Sequence, residues 1–177
     1  MANDLLRLKP LGEAMFLSRF TNTLDAKGRV SVPADFRTAV ALDAIKSGDV
    51  FDGIVVWPSL EGKWLEGGGM ALVRSKQALL DKLEPHDHVR IAYERAYFGE
   101  SFRLSFDANG RVSLPKELAE FAGLGKQVTF VGMGQRFELW DADAYLAKAK
   151  SVRKLAKETR PIFNAKTKLV TGQGVDT

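Results

Sequence analysis

Leu24-Asp25-Ala26-Lys27-Gly28-Arg29-Val30-Ser31-Val32-Pro33 returns later in the chain as Phe106-Asp107-Ala108-Asn109-Gly110-Arg111-Val112-Ser113-Leu114-Pro115, with seven of the ten positions identical. Asp107 lies 82 residues after Asp25, and at the same separation Phe16 and Phe20 meet Phe98 and Phe102. After a one-residue gap, Ile54-Val55-Val56-Trp57 aligns with Phe137-Glu138-Leu139-Trp140. A segment that recurs in this way is one structural unit used twice.

Each copy has the same local grammar. The alternation in Phe16, Ser18, Phe20, Asn22, Leu24, and again in Phe98, Glu100, Phe102, Leu104, Phe106, predicts a half-buried strand. Asp-Ala-Lys-Gly and Asp-Ala-Asn-Gly are turn sequences, because Asp bonds its own backbone and Gly tolerates positive φ. Short strands are expected at Arg29–Val32 and Arg111–Leu114, then helices at Ala34–Leu42 and Lys116–Ala122 that open on Pro33 and Pro115. Gly123 should end the second helix. Further strands are expected at Gly53–Trp57, Gln127–Gly132 and Phe137–Trp140, the last two joined by a turn at Met133-Gly134-Gln135.

Between the copies, Pro58–Glu66 reads as a short helix broken by Gly67-Gly68-Gly69, followed by helical periodicity over Met70–Leu83 and Val89–Tyr97. A helix should start after Asp141 and stop at Pro161, with a polar end to the chain. The expected organisation is an extension at 1–14, a first unit with its connecting helices at 15–97, a second unit with its helix at 98–158, and a basic tail at 159–177. The class is α+β.

Composition narrows the functions. The chain has 177 residues, 45% apolar and 27% charged, which is globular. Zero cysteines remove disulfides, thiol catalysis and cysteine-built metal sites. No apolar run approaches a membrane span and the N-terminal stretch has no signal-peptide core, so a cytoplasmic protein is expected. The net charge is +4, yet residues 146–177 alone carry eight basic and two acidic residues. The remaining chain is therefore slightly acidic, and any argument for nucleic acid has to be local.

Phosphate loops, nucleophile elbows and zinc helices are all missing from the sequence. His86 and His88 offer two metal ligands without a third His or any Cys, so a solvated turn is expected and no metal or cofactor. Nor does any pattern indicate a small-molecule substrate, and an enzyme is not expected.

The repeated turn is the informative feature. It places Arg29 and Arg111 at equivalent positions, with Lys27 and Asn109 on the outward turn position. If the units pack about a twofold axis, both arginines reach one surface. Arg19 and Arg103, on the preceding strands, are read as a further equivalent pair. Guanidinium suits forked contacts to phosphate or to guanine O6 and N7, and Asn109 suits phosphate or a base edge. The structural alternative is that Arg29 pairs with Asp25, and Arg111 with Asp107, to fix each loop, with Gly28 and Gly110 as fold determinants. Trp57 and Trp140 are expected in the core.

Met15-Phe16-Leu17-Ser18, Asn22 through Pro33, Tyr97 through Pro115 and Phe137-Glu138-Leu139-Trp140-Asp141 together resemble the MraZ family over about residues 15–150. The resemblance implies tandem AbrB-like units of swapped-hairpin or β-barrel type. It implies a bacterial transcriptional regulator associated with the nucleoid, acting at the promoter of a cell-division and cell-wall gene cluster. It also implies a ring-shaped homo-oligomer larger than a dimer that binds short direct repeats in double-stranded DNA. The family's Asp-x-x-x-Arg motif falls on Asp25/Arg29 and Asp107/Arg111, with Lys27 in the first turn and Asn109 replacing it in the second. Such proteins usually begin near Met15, so residues 1–14 are expected to be dispensable. AbrB-like units also serve as antitoxins that bind proteins, so an interaction module without a DNA role is the alternative.

Overall fold

The computed structural model describes residues 14–171, which divide into two compact units parting between Ala142 and Asp143. The larger unit holds both sequence copies. The first copy runs β1 (Arg19–Thr23), β2 (Arg29–Ser31), α1 (Ala34–Ser47), β3 (Gly53–Pro58) and β4 (Leu65–Gly68). Two helices follow, α2 (Met70–Leu80) and α3 (His88–Glu94), the latter prolonged by a π-helical turn at Arg95–Gly99. The second copy runs β5 (Phe102–Ser105), β6 (Arg111–Ser113), α4 (Lys116–Phe121), β7 (Gln127–Gly132) and β8 (Phe137–Asp141). The α+β class is thus observed.

The strands form a six-stranded antiparallel sheet in the order β1-β7-β8-β4-β3-β5, and a separate two-stranded ribbon of β2 with β6. Exchanging the two copies reverses the sheet order without changing it, so a pseudo-twofold axis runs through its centre. Each copy gives its first strand to the other: β1 pairs with β7, and β5 with β3. On the axis, Glu66 faces Glu138 across β4 and β8, and Val30 faces Val112 across the ribbon.

The core is correspondingly shared. Phe36, fully buried on α1, stacks edge-on against Phe16, Phe20 and Phe130 at 5.1, 5.6 and 6.1 Å between ring centres. Phe130 belongs to the second copy, as does Phe137, 5.5 Å from Phe36. Such ring pairs add roughly 0.5–1.5 kcal/mol each beyond the area they bury. Trp57 is buried as expected, and Trp140 stacks on Trp64 at 4.3 Å.

Several expectations are corrected. The Pro58–Glu66 helix is not formed; Leu65–Gly68 is instead the central strand β4, hydrogen-bonded on both sides. Its glycines make room for neighbours, since a Cβ on Gly67 would lie 2.7 Å from both Phe137 Cζ and Val56 Cγ1. Nor does Ile54–Trp57 correspond to Phe137–Trp140. The pairing makes β3 the counterpart of β7, because Phe20 faces Phe130 while its copy Phe102 faces Val56. The cause is helix length, 14 residues in α1 against 6 in α4, which shortens the spacing of everything downstream. The long first strands also shrink: Phe16 makes only an isolated bridge, to Gly134, and Phe98 lies in the π-helical turn.

The smaller unit comprises α5, which starts at the junction (Ala142–Glu158), and α6 (Arg160–Thr171). α5 ends at Glu158, ahead of Pro161 as expected, but the polar end of the chain is not structureless: helix resumes at Arg160, and Pro161 lies inside it. Pro161 is the second residue of α6, in the first turn, where a missing N–H and a fixed φ are compatible with helix. The N-terminal extension up to residue 13 and the end of the chain beyond residue 171 lie outside the described residues. Among the described residues no helix is long and apolar enough to cross a membrane.

Candidate nucleic-acid interface

Two turns carry the repeated motif, and they are built alike. In the first, Asp25 Oδ1 accepts from the backbone N–H of Lys27 and of Arg29, both at 2.9 Å, and Oδ2 accepts from Arg29 Nε at 2.7 Å. In the second, Asp107 Oδ1 accepts from the N–H of Asn109 at 2.8 Å and of Arg111 at 3.0 Å, and Oδ2 from Arg111 Nε at 2.8 Å. Gly28 and Gly110 close the turns at φ of 76° and 70°, the left-handed region that the turn requires. Each Asp thus shapes a loop and aims the arginine that follows it.

Both carboxyls are held below the ordinary value of 3.8. The largest cause is the backbone N–H of the following arginine, opposed by desolvation and reinforced by the guanidinium. The ion pairs are about a third exposed, so each contributes little to stability, and their effect is geometric. The pairing uses Nε alone. The terminal Nη1 and Nη2 of Arg29 and Arg111 make no hydrogen bond among the described residues, so loop bracing and ligand contact are compatible.

The ribbon brings the arginines together. Arg29 faces Ser113, and Ser31 faces Arg111, while Val30 and Val112 face each other. Side chains alternate along a strand, so the valines share one face and the arginines and serines share the other. The valines are buried in the core, and the serines are exposed. Arg29 and Arg111 are therefore diagonal neighbours, with Cα atoms roughly 7–8 Å apart, on one outward surface. The turns flank this face, locked across the axis by Leu114 N–H to the Gly28 carbonyl at 2.8 Å and Val32 N–H to the Gly110 carbonyl at 3.1 Å. Lys27 and Asn109 are exposed at the turn tips.

The other predicted positions lie apart. Arg19 and Arg103 are not equivalent, since the register makes Arg103 the counterpart of Thr21. Arg19 is exposed at the far end of β1 from the turn, and Arg103 lies over the Phe51 ring at 4.2 Å. His86 and His88 are exposed around the start of α3, and no cluster of three metal-ligating residues occurs among the described residues.

One cation escaped the sequence reading. Arg37, on the first turn of α1, donates from Nη1 to the Asn109 carbonyl at 3.4 Å, placing first-copy charge beside the second-copy turn. The available signal was a pair of differences between the copies: Lys27 against Asn109, and Arg37 against Ala119.

Residues 97–162 match the family described as "MraZ protein, putative antitoxin-like". The chain is 42% identical over 151 residues to the transcriptional regulator MraZ of Parvibaculum lavamentivorans, covering 85% of this chain and 90% of that one. It is 42% identical over 144 residues to the transcriptional regulator MraZ of Caulobacter vibrioides, covering 81% and 88%. Against that of Rickettsia canadensis the figure is 37% over 146 residues, covering 82% and 94%. At 37–42% identity over more than four-fifths of its length, the chain belongs to the MraZ family.

Proposed function

We propose that this chain is a sequence-specific DNA-binding transcription regulator that represses its own promoter and an associated cell-division and cell-wall gene cluster. The observation that carries the reading is the outward ribbon face, where two motif arginines sit side by side with their terminal nitrogens available. Lys27 and Asn109 approach the DNA backbone from the turn tips, and the Arg29 and Arg111 forks read base edges in the major groove. Arg19 and Arg103 enter only as flanking phosphate contacts. The exchange of first strands between copies supports an AbrB-like swapped-hairpin organisation. The relatives bear the name of transcriptional regulators, which supports DNA as the partner.

One such face is a small positive footprint and binds one DNA repeat weakly. Short direct repeats engaged by several linked subunits overcome this, because each later contact is effectively intramolecular. A head-to-tail interface closing into a ring larger than a dimer supplies the linked subunits. A cytoplasmic, nucleoid-associated protein follows.

Arg29→Ala tests the reading. Specific binding to DNA from upstream of the gene should be lost in mobility shifts at fixed salt, with fold and assembly kept. Wild-type affinity in a well-folded variant would remove the turn from the site. The alternative, an antitoxin-like protein-interaction module, is favoured by exposed Ile162 and Phe163 on α6. Salt separates the two, because phosphate binding weakens linearly in log affinity against log salt.

A further inference from the structure

The two turns differ at one charged position. The first contains Asp25, Lys27 and Arg29; the second contains Asp107, Asn109 and Arg111. Taken alone, the first turn carries one net positive charge and the second none. The fold supplies a cation to the second turn from elsewhere. Arg37 lies one residue after the buried Phe36 and projects from the first turn of α1, anchored by its own N–H to the Pro33 carbonyl at 3.0 Å. The Val32–Gly110 hydrogen bond clamps the second turn to the residue before Pro33, so the start of α1 and the turn are fixed together.

The guanidinium of Arg37 rests on the α-carbon of Gly110, where an added Cβ would collide with Nη1 and Cζ. Its Nη1 donates to the Asn109 carbonyl at 3.4 Å, a long bond that one donor of five makes. No ion pair engages Arg37 among the described residues, although Asp35 lines the same shallow cleft with Asn22, Ser31 and Asn109. Among the described residues nothing equivalent stands over the first turn. The position matching Arg37 is Ala119, and a Cβ on Gly28 would meet only the Leu114 carbonyl, at 3.0 Å.

We infer that Arg37 is a DNA phosphate contact that takes, at the second turn, the place Lys27 takes at the first. The inference rests on the proposed DNA reading of the turns and extends it: the second half-site is built by both copies. With Arg37 counted, each turn presents one net positive charge. The face is then balanced about the axis despite the Asn109 substitution, as suits contact with two backbone stretches of one duplex.

Binding is measured on a duplex from upstream of the gene and on a scrambled duplex, across a salt series. Arg37→Gln should weaken binding to both duplexes alike and lower the slope of log affinity against log salt by about one. Arg37→Lys, which keeps the charge, should retain the slope. Arg37→Gln combined with Asn109→Lys should recover it, because the cation returns to the turn itself. A wild-type slope in Arg37→Gln, or loss of binding in Arg37→Lys with no rescue by Asn109→Lys, would overturn the assignment. The underlying reading fails separately, through a wild-type protein that binds neither duplex in a salt-dependent way or an Arg29→Ala variant that binds normally.

Discussion

Val30 stands directly opposite Val112 in the ribbon, each buried, and each is the other's copy in the sequence. The two side chains hold the inner face on which the arginine face is mounted. Val30→Ala removes two buried methyl groups' worth of contact and should cost about 2 kcal/mol, measured by urea unfolding. Val112→Ala should cost a similar amount. Because the residues face one another, the double variant should depart from the sum by at least about 0.5 kcal/mol. Strict additivity would show that they do not share a packing site.

The carboxyls of Asp25 and Asp107 give a pH signature. Their folded values lie below the ordinary 3.8, so the stabilisation is fully present above that value and is lost as pH falls through the folded value. Carboxyl-carbon NMR titration should therefore find both midpoints below 3.8. In Arg29→Gln the Asp25 midpoint should rise only part of the way back, since the backbone N–H is the first cause and survives the substitution. A full return would make the guanidinium the dominant partner.

Glu66 and Glu138 oppose one another at the centre of the sheet, and burial pushes the Glu138 carboxyl above its ordinary 4.5. Like charges directly across strands are destabilising. Glu138→Gln removes one charge while keeping an acceptor for Trp140 Nε1, which donates to Glu138 at 2.8 Å. The variant should gain about 0.5 kcal/mol at pH 7. The sign of the pH dependence follows from a raised folded value: the wild type carries the penalty above it and sheds the penalty as pH falls toward 4.5. Denaturant melts of the two proteins should converge below that pH. A variant less stable at pH 7 would mean that the Glu138 charge is needed, through Arg136.

Affinity should rise steeply with the number of correctly spaced DNA repeats, by more than tenfold from one to two if the linked sites are reachable together. Light scattering of the free protein, with binding to one-, two- and three-repeat duplexes, measures both halves of the claim. A monomer binding one repeat as tightly as three would refute it.

The repeat made much of this legible, because the turn, the Pro-led helix and the arginine are all local. What lay beyond reach depends on the partner strand. The Gly67-Gly68-Gly69 run reads as a breaker until Phe137 and Val56 are seen filling the space above Gly67. A constant spacing between copies misplaces β3 because α4 is shorter than α1. Arg103 resembles a partner for Arg19 by residue type alone; the 82-residue separation between the copies already sets it against Thr21, and the register agrees. Arg37 stands out in sequence only as a difference from Ala119 in the other copy, and the clamp between Val32 and Gly110 is what brings it to Asn109.

The exchange of first strands also sets a timetable for synthesis. β1 ends at Thr23, and its partner β7 begins at Gln127. At translation rates of about 5–20 residues per second, β1 is made several seconds to tens of seconds before the strand it pairs with exists. The first copy leaves the ribosome with Val30 and Phe36 lacking their second-copy neighbours, so the nascent chain holds an open sheet edge through most of its elongation. Its native topology closes late, only once β7 has been made.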